Sequence, residues 1–443
     1  CGGPCGTYLE DKVDPALVRH YAVVTTDMGH KGPGWLFAYR NPQAQIDFAY
    51  RATHLTALIA KRLIEEHYGR AARLNYFMGC STGGRQAMVE AQRFPDDFDG
   101  IVAGAPVYDE VGDSPYFLDW NTRANTAADG STILTQDKVP LIHAAVLAKC
   151  DALDGIKDGL LIDALQCRFD PVELACRPGQ ASASCLTPDQ ITVARKFRDG
   201  ARNSAGKQLY NGIPWGAEDQ WVNYFGWVSP TGHQYNGAGY SITGYLGYGG
   251  GAPEGPAYRI SDFDYDRDPA RLTQTGHPYN PVNPDLSAFA TRGGKLIMFH
   301  GMNDNNIPVE QSISYYRRAI VANGGAARTA TFARLFTPAG MNHCRDGNGG
   351  GDFDWLSAIE AWVERGRAPQ QVIAYRLKQP YPSAPRALED YGAPYARMSR
   401  QPLNPASYDR ARPVYPWPVM ARYAGKGDPA LPSSWRPARP ARD

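Results

Sequence analysis

The sequence predicts an α/β protein: a parallel sheet with a large loop-rich segment inserted into it. Three observations carry this prediction. Short apolar runs alternate with helical periodicity between residues 19 and 106. The pattern dissolves over residues 108–285, where Gly, Pro, Tyr, Asp and Trp are frequent. Strand and helix periodicity returns from residue 294. Strand, helix and strand in close succession argue for parallel strands joined by crossover helices.

The elements follow in order. "RHYAVVT" (19–25) is short, apolar and β-branched, and reads as a buried strand. "DFAYRATHLTALIAKRLIEEHYG" (47–69) puts Phe48, Leu55, Leu58, Ile59 and Leu63 at helical spacing and ends on Gly69. "LNYFMG" (74–79) is a strand, "GGRQAMVEAQRF" (83–94) a helix and "FDGIVAGAP" (98–106) a third strand. Beyond the insert come a strand "GKLIMFHG" (294–301), a helix around 309–322, a strand "TATFARLFT" (329–337) and a helix "FDWLSAIEAWVERG" (353–366). The tail after 378 is rich in proline and aromatic residues and is expected to lie on the core surface, largely without regular structure.

Composition narrows the function classes. The 443 residues carry 46 basic and 45 acidic side chains, a net charge of +1. No basic stripe suits nucleic acid and no acidic block suits a disordered tail. No run approaches the ~20 apolar residues of a membrane helix. The chain opens on "CGGPCG" without Met, so it reads as a fragment whose missing leader says nothing about compartment. Its eight cysteines form no close-spaced zinc pattern. An even count, with Cys150/Cys167 and Cys176/Cys185 paired in loops, suits disulfides and a secreted or periplasmic protein. Buried free thiols in a cytosolic enzyme are the alternative.

"GCSTG" (Gly79–Gly83) fits G-x-S-x-G, between an apolar run and a helical one. That turn strains the serine and exposes its oxygen, and small neighbours let the helix pass close by. Ser81 is therefore the candidate nucleophile, with the Thr82 N–H in an oxyanion hole at the helix N-terminus. An ordinary glycine-rich turn would read the same way. A serine needs a base, and the α/β-hydrolase order is Ser, acid, His. Asp304 follows the strand "KLIMFHG", and His343 follows the next strand in "PAGMNHC". A turn-forming aspartate and an exposed loop histidine are the plainer readings. His67 and His143 sit in helical stretches and His233 in the insert, while His300 lies four residues before Asp304. If Ser81 and His343 meet, Cys80 and Cys344 are also brought together, and a bridge between them would tie the two loops. The cysteine is then a staple and the serine the nucleophile; a Cys80 thiolate is the rival.

"CDALDGIKDGLLIDALQC" (150–167) crowds Asp151, Asp154 and Asp158 into one loop. Three such carboxylates repel unless a hard cation joins them, and all-oxygen ligation favours Ca2+. The carbonyls of Ile156 and Leu160 would complete the shell, and Cys150 and Cys167 would clamp it. A solvated Asp-Gly turn cluster is the alternative.

"DFAYRATH", "GCSTGGRQAM", "FPDDFDGIVAGAP", "CDALDGIKDG", "HGMND", "GMNHC" and "ARYAGKGD" together resemble the tannase and feruloyl esterase family of α/β-hydrolases, over most of the chain. The resemblance implies Ser81, Asp304 and His343 as a triad, a Cys80–Cys344 bridge, and structural calcium at the loop residues named above. It implies an α/β-hydrolase fold: a catalytic domain of residues 1–107 and 286–443, with residues 108–285 as a lid carrying the calcium loop. The family's second oxyanion donor comes from a glycine-rich loop, here "CGGPCG". Pro4 has no N–H, so Gly3 is the choice and Gly2 the alternate. Relatives often carry a cysteine where this chain has Tyr415, so a bridge is expected to be absent there and the tail looser. The expected activity is a secreted serine esterase acting on feruloyl, cinnamoyl, galloyl or related hydroxybenzoyl esters. One branch of the family cleaves mono(2-hydroxyethyl) terephthalate. An idle hydrolase-like binding protein and a serine peptidase or acyltransferase are the alternatives. Trp215, Trp221, Tyr224, Phe225 and Trp227 suit either a substrate ring or the lid's own core.

Overall fold

The computed structural model describes residues 14–17, 19–32, 34–222, 242–247, 257–276, 278–378 and 408–439. A helix Ala52–Tyr68 (α1) is entered through a π-helical turn at Asp47–Arg51 and closes on Gly69 in the left-handed conformation. Phe48 is buried as its spacing predicts, whereas Leu58, Ile59 and Leu63 are exposed. Strand Tyr76–Cys80 (β1), helix Thr82–Arg93 (α2) and strand Gly100–Gly104 (β2) follow as expected.

The insert is more regular than its composition suggests. It contains the helices Val139–Cys150 (α3) and Pro188–Asp199 (α4). α3 holds His143, whose stretch already reads as helical in the sequence, and Thr187 and Gln190 form a capping box that starts α4. Val146, Phe197, Trp215 and Trp221 share one buried cluster, which also takes in Met28, Trp35 and Phe48 from before β1. Two disulfides fasten the insert's loops, Cys150–Cys167 and Cys176–Cys185, with Cα atoms 5.5 and 4.8 Å apart.

Strand Lys295–Phe299 (β3), helix Val309–Ala322 (α5), strand Ala333–Phe336 (β4) and helix Trp355–Arg365 (α6) resume the core. The four strands are parallel and stand in chain order, β1-β2-β3-β4. Alternate residues reach opposite faces. Ile101, Ala103, Leu296 and Met298 pack with Ala87 and Met88 of α2 and Ile313 of α5. Val102, Ile297 and Phe299 pack with Trp355, Ile359 and Trp362 of α6. Helices on both faces explain why β2 and β3 are almost unbroken apolar runs. This is the α/β-hydrolase architecture expected.

Two expectations are corrected. Residues 19–25 form no strand. Side chains hold this segment instead: Arg19 Nη2 lies 2.5 Å from Glu360 on α6, the Tyr21 hydroxyl bonds the same carboxylate, and the Tyr21 ring meets Tyr76 edge-on. The tail is also more ordered than expected. Val372–Leu377 (β5) pairs antiparallel with Tyr408–Val414 (β6), and Met420–Tyr423 (β7) with Trp435–Ala438 (β8). Pro413 and Pro437 sit in these two-stranded ribbons, where every strand is an edge and a missing donor is tolerated.

One buried side chain ties these parts together. Arg85 on α2 donates to the carbonyls of Phe48 and Ala49 at 2.9 and 2.8 Å and to that of Tyr279 at 3.4 Å. Its Nε lies 3.0 Å from the Glu110 carboxylate, with both side chains almost wholly buried. Glu110 begins the insert and Tyr279 lies near its end, so one guanidinium fastens both. Removing one partner of such a pair leaves the other charge uncompensated. Arg85→Met is expected to lower the unfolding free energy by about 3–5 kcal/mol, and adding Glu110→Leu to recover part of it. A urea double-mutant cycle showing simple additivity would exclude the coupling.

Candidate active site

The row Cys80, Gly104, Phe299, Phe336 crosses the sheet at the carboxyl ends of its strands. The loops leaving that row carry the candidate residues. Ser81 has φ 63° and ψ −124°, a strained conformation for a residue with a side chain. Its N–H donates to Gly104 O at 3.0 Å, and its own carbonyl accepts from Arg85 N at 2.9 Å. It thus ends β1 and starts α2 in a single residue. Close approach dictates the small neighbours. A Cβ on Gly79 would lie 2.4 Å from Gly83 O, and one on Gly84 would lie 2.1 Å from Gly104 O. Thr82 opens the 12-residue helix α2, so its amide stands at the positive end of the helix dipole.

The turn after β3 holds the candidate acid. Asp304 is fully buried, and its Oδ1 accepts from the Asn306 and Ile307 amides at 2.8 and 3.0 Å. Its Oδ2 faces His343 Nδ1 at 2.7 Å and His300 Nε2 at 3.1 Å. Burial alone would push this carboxyl up. The His343 charge, with hydrogen bonds from His300 and His343, outweighs burial and holds it well below the usual carboxylate range. His300 is anchored in turn by Ser312 Oγ at 2.7 Å and the Ile307 carbonyl at 2.9 Å. It positions the acid, a role the sequence reading missed; the available signal was its place at the strand end, four residues before Asp304.

Cys80 and Cys344 are bonded, with Cα atoms 5.9 Å apart across 264 residues of chain. The residues flanking them, Ser81 and His343, are therefore held on adjoining loops. Among the described residues the Ser81 hydroxyl makes no hydrogen bond to His343; such contacts often tighten only when substrate is present. Asn303 and Asn305 reach the insert: they donate to the Gly216 and Gln220 carbonyls at 2.7 and 3.0 Å.

Trp215 and Trp221 are core, packed edge-on against Phe169 and Phe197. Gly2, Gly3, Cys1, Cys5, Tyr224, Phe225 and Trp227 lie outside the described residues. A cavity of about 840 Å³ lies between the insert and helices α2 and α5, lined by Gln92, Tyr108, Tyr210, Asn280 and Gln311 among others. Its lining includes none of Ser81, Asp304 and His343.

The acidic loop follows α3. Asp151 accepts from the Gly159 and Leu160 amides at 3.0 and 3.3 Å, and Asp154 from the Ile156 amide at 3.1 Å. Asp154 Oδ2 and Asp158 Oδ1 are buried without a hydrogen-bond partner. Burial first, then the neighbouring Asp158 and Asp151 charges, raise the Asp154 carboxyl to about 7. Two orphaned carboxylate oxygens in an all-oxygen loop suit a hard cation, although Asp151, Asp154 and Asp158 do not each bring an oxygen within 4.8 Å of the other two. The guanidinium of Arg412, from the tail, already contacts Asp158.

The family model for tannase and feruloyl esterase matches residues 1–438. The mono(2-hydroxyethyl) terephthalate hydrolase of Piscinibacter sakaiensis is 34% identical, over 94% of this chain and 74% of its own length. A probable feruloyl esterase B-2 of Aspergillus flavus is 31% identical, over 84% of this chain and 72% of its own. The crystal structure of feruloyl esterase B from Aspergillus oryzae superposes with a TM-score of 0.81 at 28% identity, covering 99% of this chain and 83% of that one.

The Cys80–Cys344 bridge closes a very long loop. Replacing both cysteines by alanine is expected to lower the unfolding free energy by about 2–5 kcal/mol. Guanidinium unfolding followed by tryptophan fluorescence measures it, and an unchanged midpoint would mean the bridge adds no stability.

Proposed function

This chain belongs to the tannase and feruloyl esterase family and is a carboxylic ester hydrolase; on that premise we propose that it cleaves esters of aromatic acids through a Ser81–His343–Asp304 triad and an acyl-enzyme. One observation carries the assignment. His343 Nδ1 contacts the buried Asp304 at 2.7 Å, on a loop bonded through Cys344 to the residue before Ser81.

In this mechanism Asp304 holds the imidazole with Nδ1 protonated, so Nε2 is free to take the Ser81 proton. The serine oxygen bonds the ester carbonyl carbon, and the carbonyl oxygen becomes an oxyanion. The Thr82 amide and the α2 dipole stabilise that charge, with Gly3 as the second donor. His343 returns the proton to the departing alcohol. Water, deprotonated by the same imidazole, then releases the aromatic acid. Asp304 stays ionised throughout, because its two histidine neighbours favour the carboxylate.

The relatives' names point to feruloyl and terephthaloyl acyl groups, and galloyl and other hydroxybenzoyl or cinnamoyl esters share their aromatic acyl chemistry. The insert, reached by Asn303 and Asn305 from the acid turn, serves as the lid, with residues 1–107 and 286–443 as the catalytic domain. Asp151, Asp154, Asp158 and the carbonyls of Ile156 and Leu160 would hold Ca2+. Bound there, the ion supplies charge neutralisation to the loop and no chemistry to the ester. Three disulfides among the described residues support a secreted or periplasmic location.

Ser81→Ala and Asp304→Asn are each expected to lower kcat on methyl ferulate or methyl gallate by about four orders of magnitude or more. Wild-type failure on every aromatic ester tested would overturn the substrate class, and an active Ser81→Ala would overturn the triad. Chelation is expected to lower the melting temperature, with recovery on adding Ca2+ but not Mg2+. A chelator-insensitive melting temperature, or Asp154→Asn responding like wild type, would remove calcium from this reading.

A further inference from the structure

A second cluster of ligating side chains lies away from the triad, and none of the chemistry above uses it. We propose that His54, Glu90 and Asp97 form a site for a divalent transition-metal ion of the zinc type. His54 comes from α1, Glu90 from α2 and Asp97 from the turn after α2. One ligand atom from each falls within 4.8 Å of the others, the only such group among the described residues. His54 Nδ1 is 2.6 Å from Asp97 Oδ2.

Glu90 supplies an independent observation. Its side chain is wholly buried, and neither carboxylate oxygen has a donor other than a proton it would share with Asp97. Buried carboxylates almost always have donors, so a buried carboxylate with one oxygen within 4.8 Å of an imidazole nitrogen and a second carboxylate needs a cation or a proton. Asp97 is also buried. The nearby ammonium of Lys61 lies 3.8 Å from Asp97 Oδ1 and offers one positive charge to two carboxylates.

The donor set selects the ion. One imidazole nitrogen with two carboxylates suits zinc or a neighbouring transition ion better than calcium or magnesium. Three protein ligands leave a position for water. His54 is partly exposed and stacks on Phe94 at 3.9 Å, which gives both an entry path and a fixed ring. Glu90 is nine residues beyond Ser81, about 13 Å along α2. An ion there would pin α1 to the far end of the nucleophile helix and take no part in ester chemistry.

The rival is a proton shared between Glu90 and Asp97. The full chain is stripped with EDTA, dialysed against Ca2+ to fill the acidic loop, and titrated with zinc chloride. Metal retained after desalting is counted by mass spectrometry, and the melting temperature is followed in parallel. The expected result is one retained zinc and a raised melting temperature in wild type and in His343→Ala. Glu90→Gln and His54→Gln should bind zinc at least tenfold more weakly and show no rise, with wild-type circular dichroism. Zinc retained equally by Glu90→Gln would overturn the proposal. So would a wild-type protein that retains no zinc, and a Glu90→Gln variant melting at the wild-type temperature would then mean that a shared proton suffices.

Discussion

Backbone pairing in the parallel sheet is the constraint on which the site depends. Its register sets Cys80, Gly104, Phe299 and Phe336 level with one another. The serine turn, the departing insert, the acid turn and the histidine loop therefore leave the sheet from one line. Asp304 and His343 leave neighbouring strands, β3 and β4, whereas Ser81 leaves β1, so the histidine loop reaches back across the sheet towards the serine turn. The disulfide next to Ser81 then fixes a relation that the sheet has already made approximate, which is why a covalent link between residues 264 apart forms there.

Much of this was legible in the sequence, for physical reasons. β1, α2, β2, β3, α5, β4 and α6 each bury a regular face, so their periods are strong. The strained serine turn was legible because contact at Gly79 and Gly84 tolerates no side chain. Residues 19–25 misled, because an apolar, β-branched run states a preference for extended backbone but not whether a partner strand is present; ion pairs to α6 hold that segment instead. The tail misled in the opposite sense. Its prolines argue against central strands, and the structure uses them in narrow ribbons, where the argument does not apply. His300, Asn303 and Asn305 were least legible, since their roles come entirely from tertiary partners.

The insert also shows how aromatic content can be misassigned. Trp215 and Trp221 lie in a region the sequence marks as irregular, where a ring-binding role is tempting. They are buried in the insert's core, in ring contact with Phe169, Phe197 and each other. A long excursion from a sheet must bury its own apolar surface to be ordered, and here it also borrows Met28, Trp35 and Phe48 from the chain before β1. The tail contributes on the far side: Trp435 and Ala421 pack with Ile162 beyond the acidic loop, and Arg412 stacks on Trp435 while it meets Asp158.

The two asparagines beside Asp304 have a mechanical consequence. Each donates its amide to a carbonyl of the insert, and they flank the aspartate in sequence. The carboxylate is thus suspended between two struts whose far ends stand on another part of the molecule. Shifting the insert at Gly216 or Gln220 must either snap a strut or drag the acid with it. The orientation of His343, set by Asp304, is in this way indexed to the position of the insert.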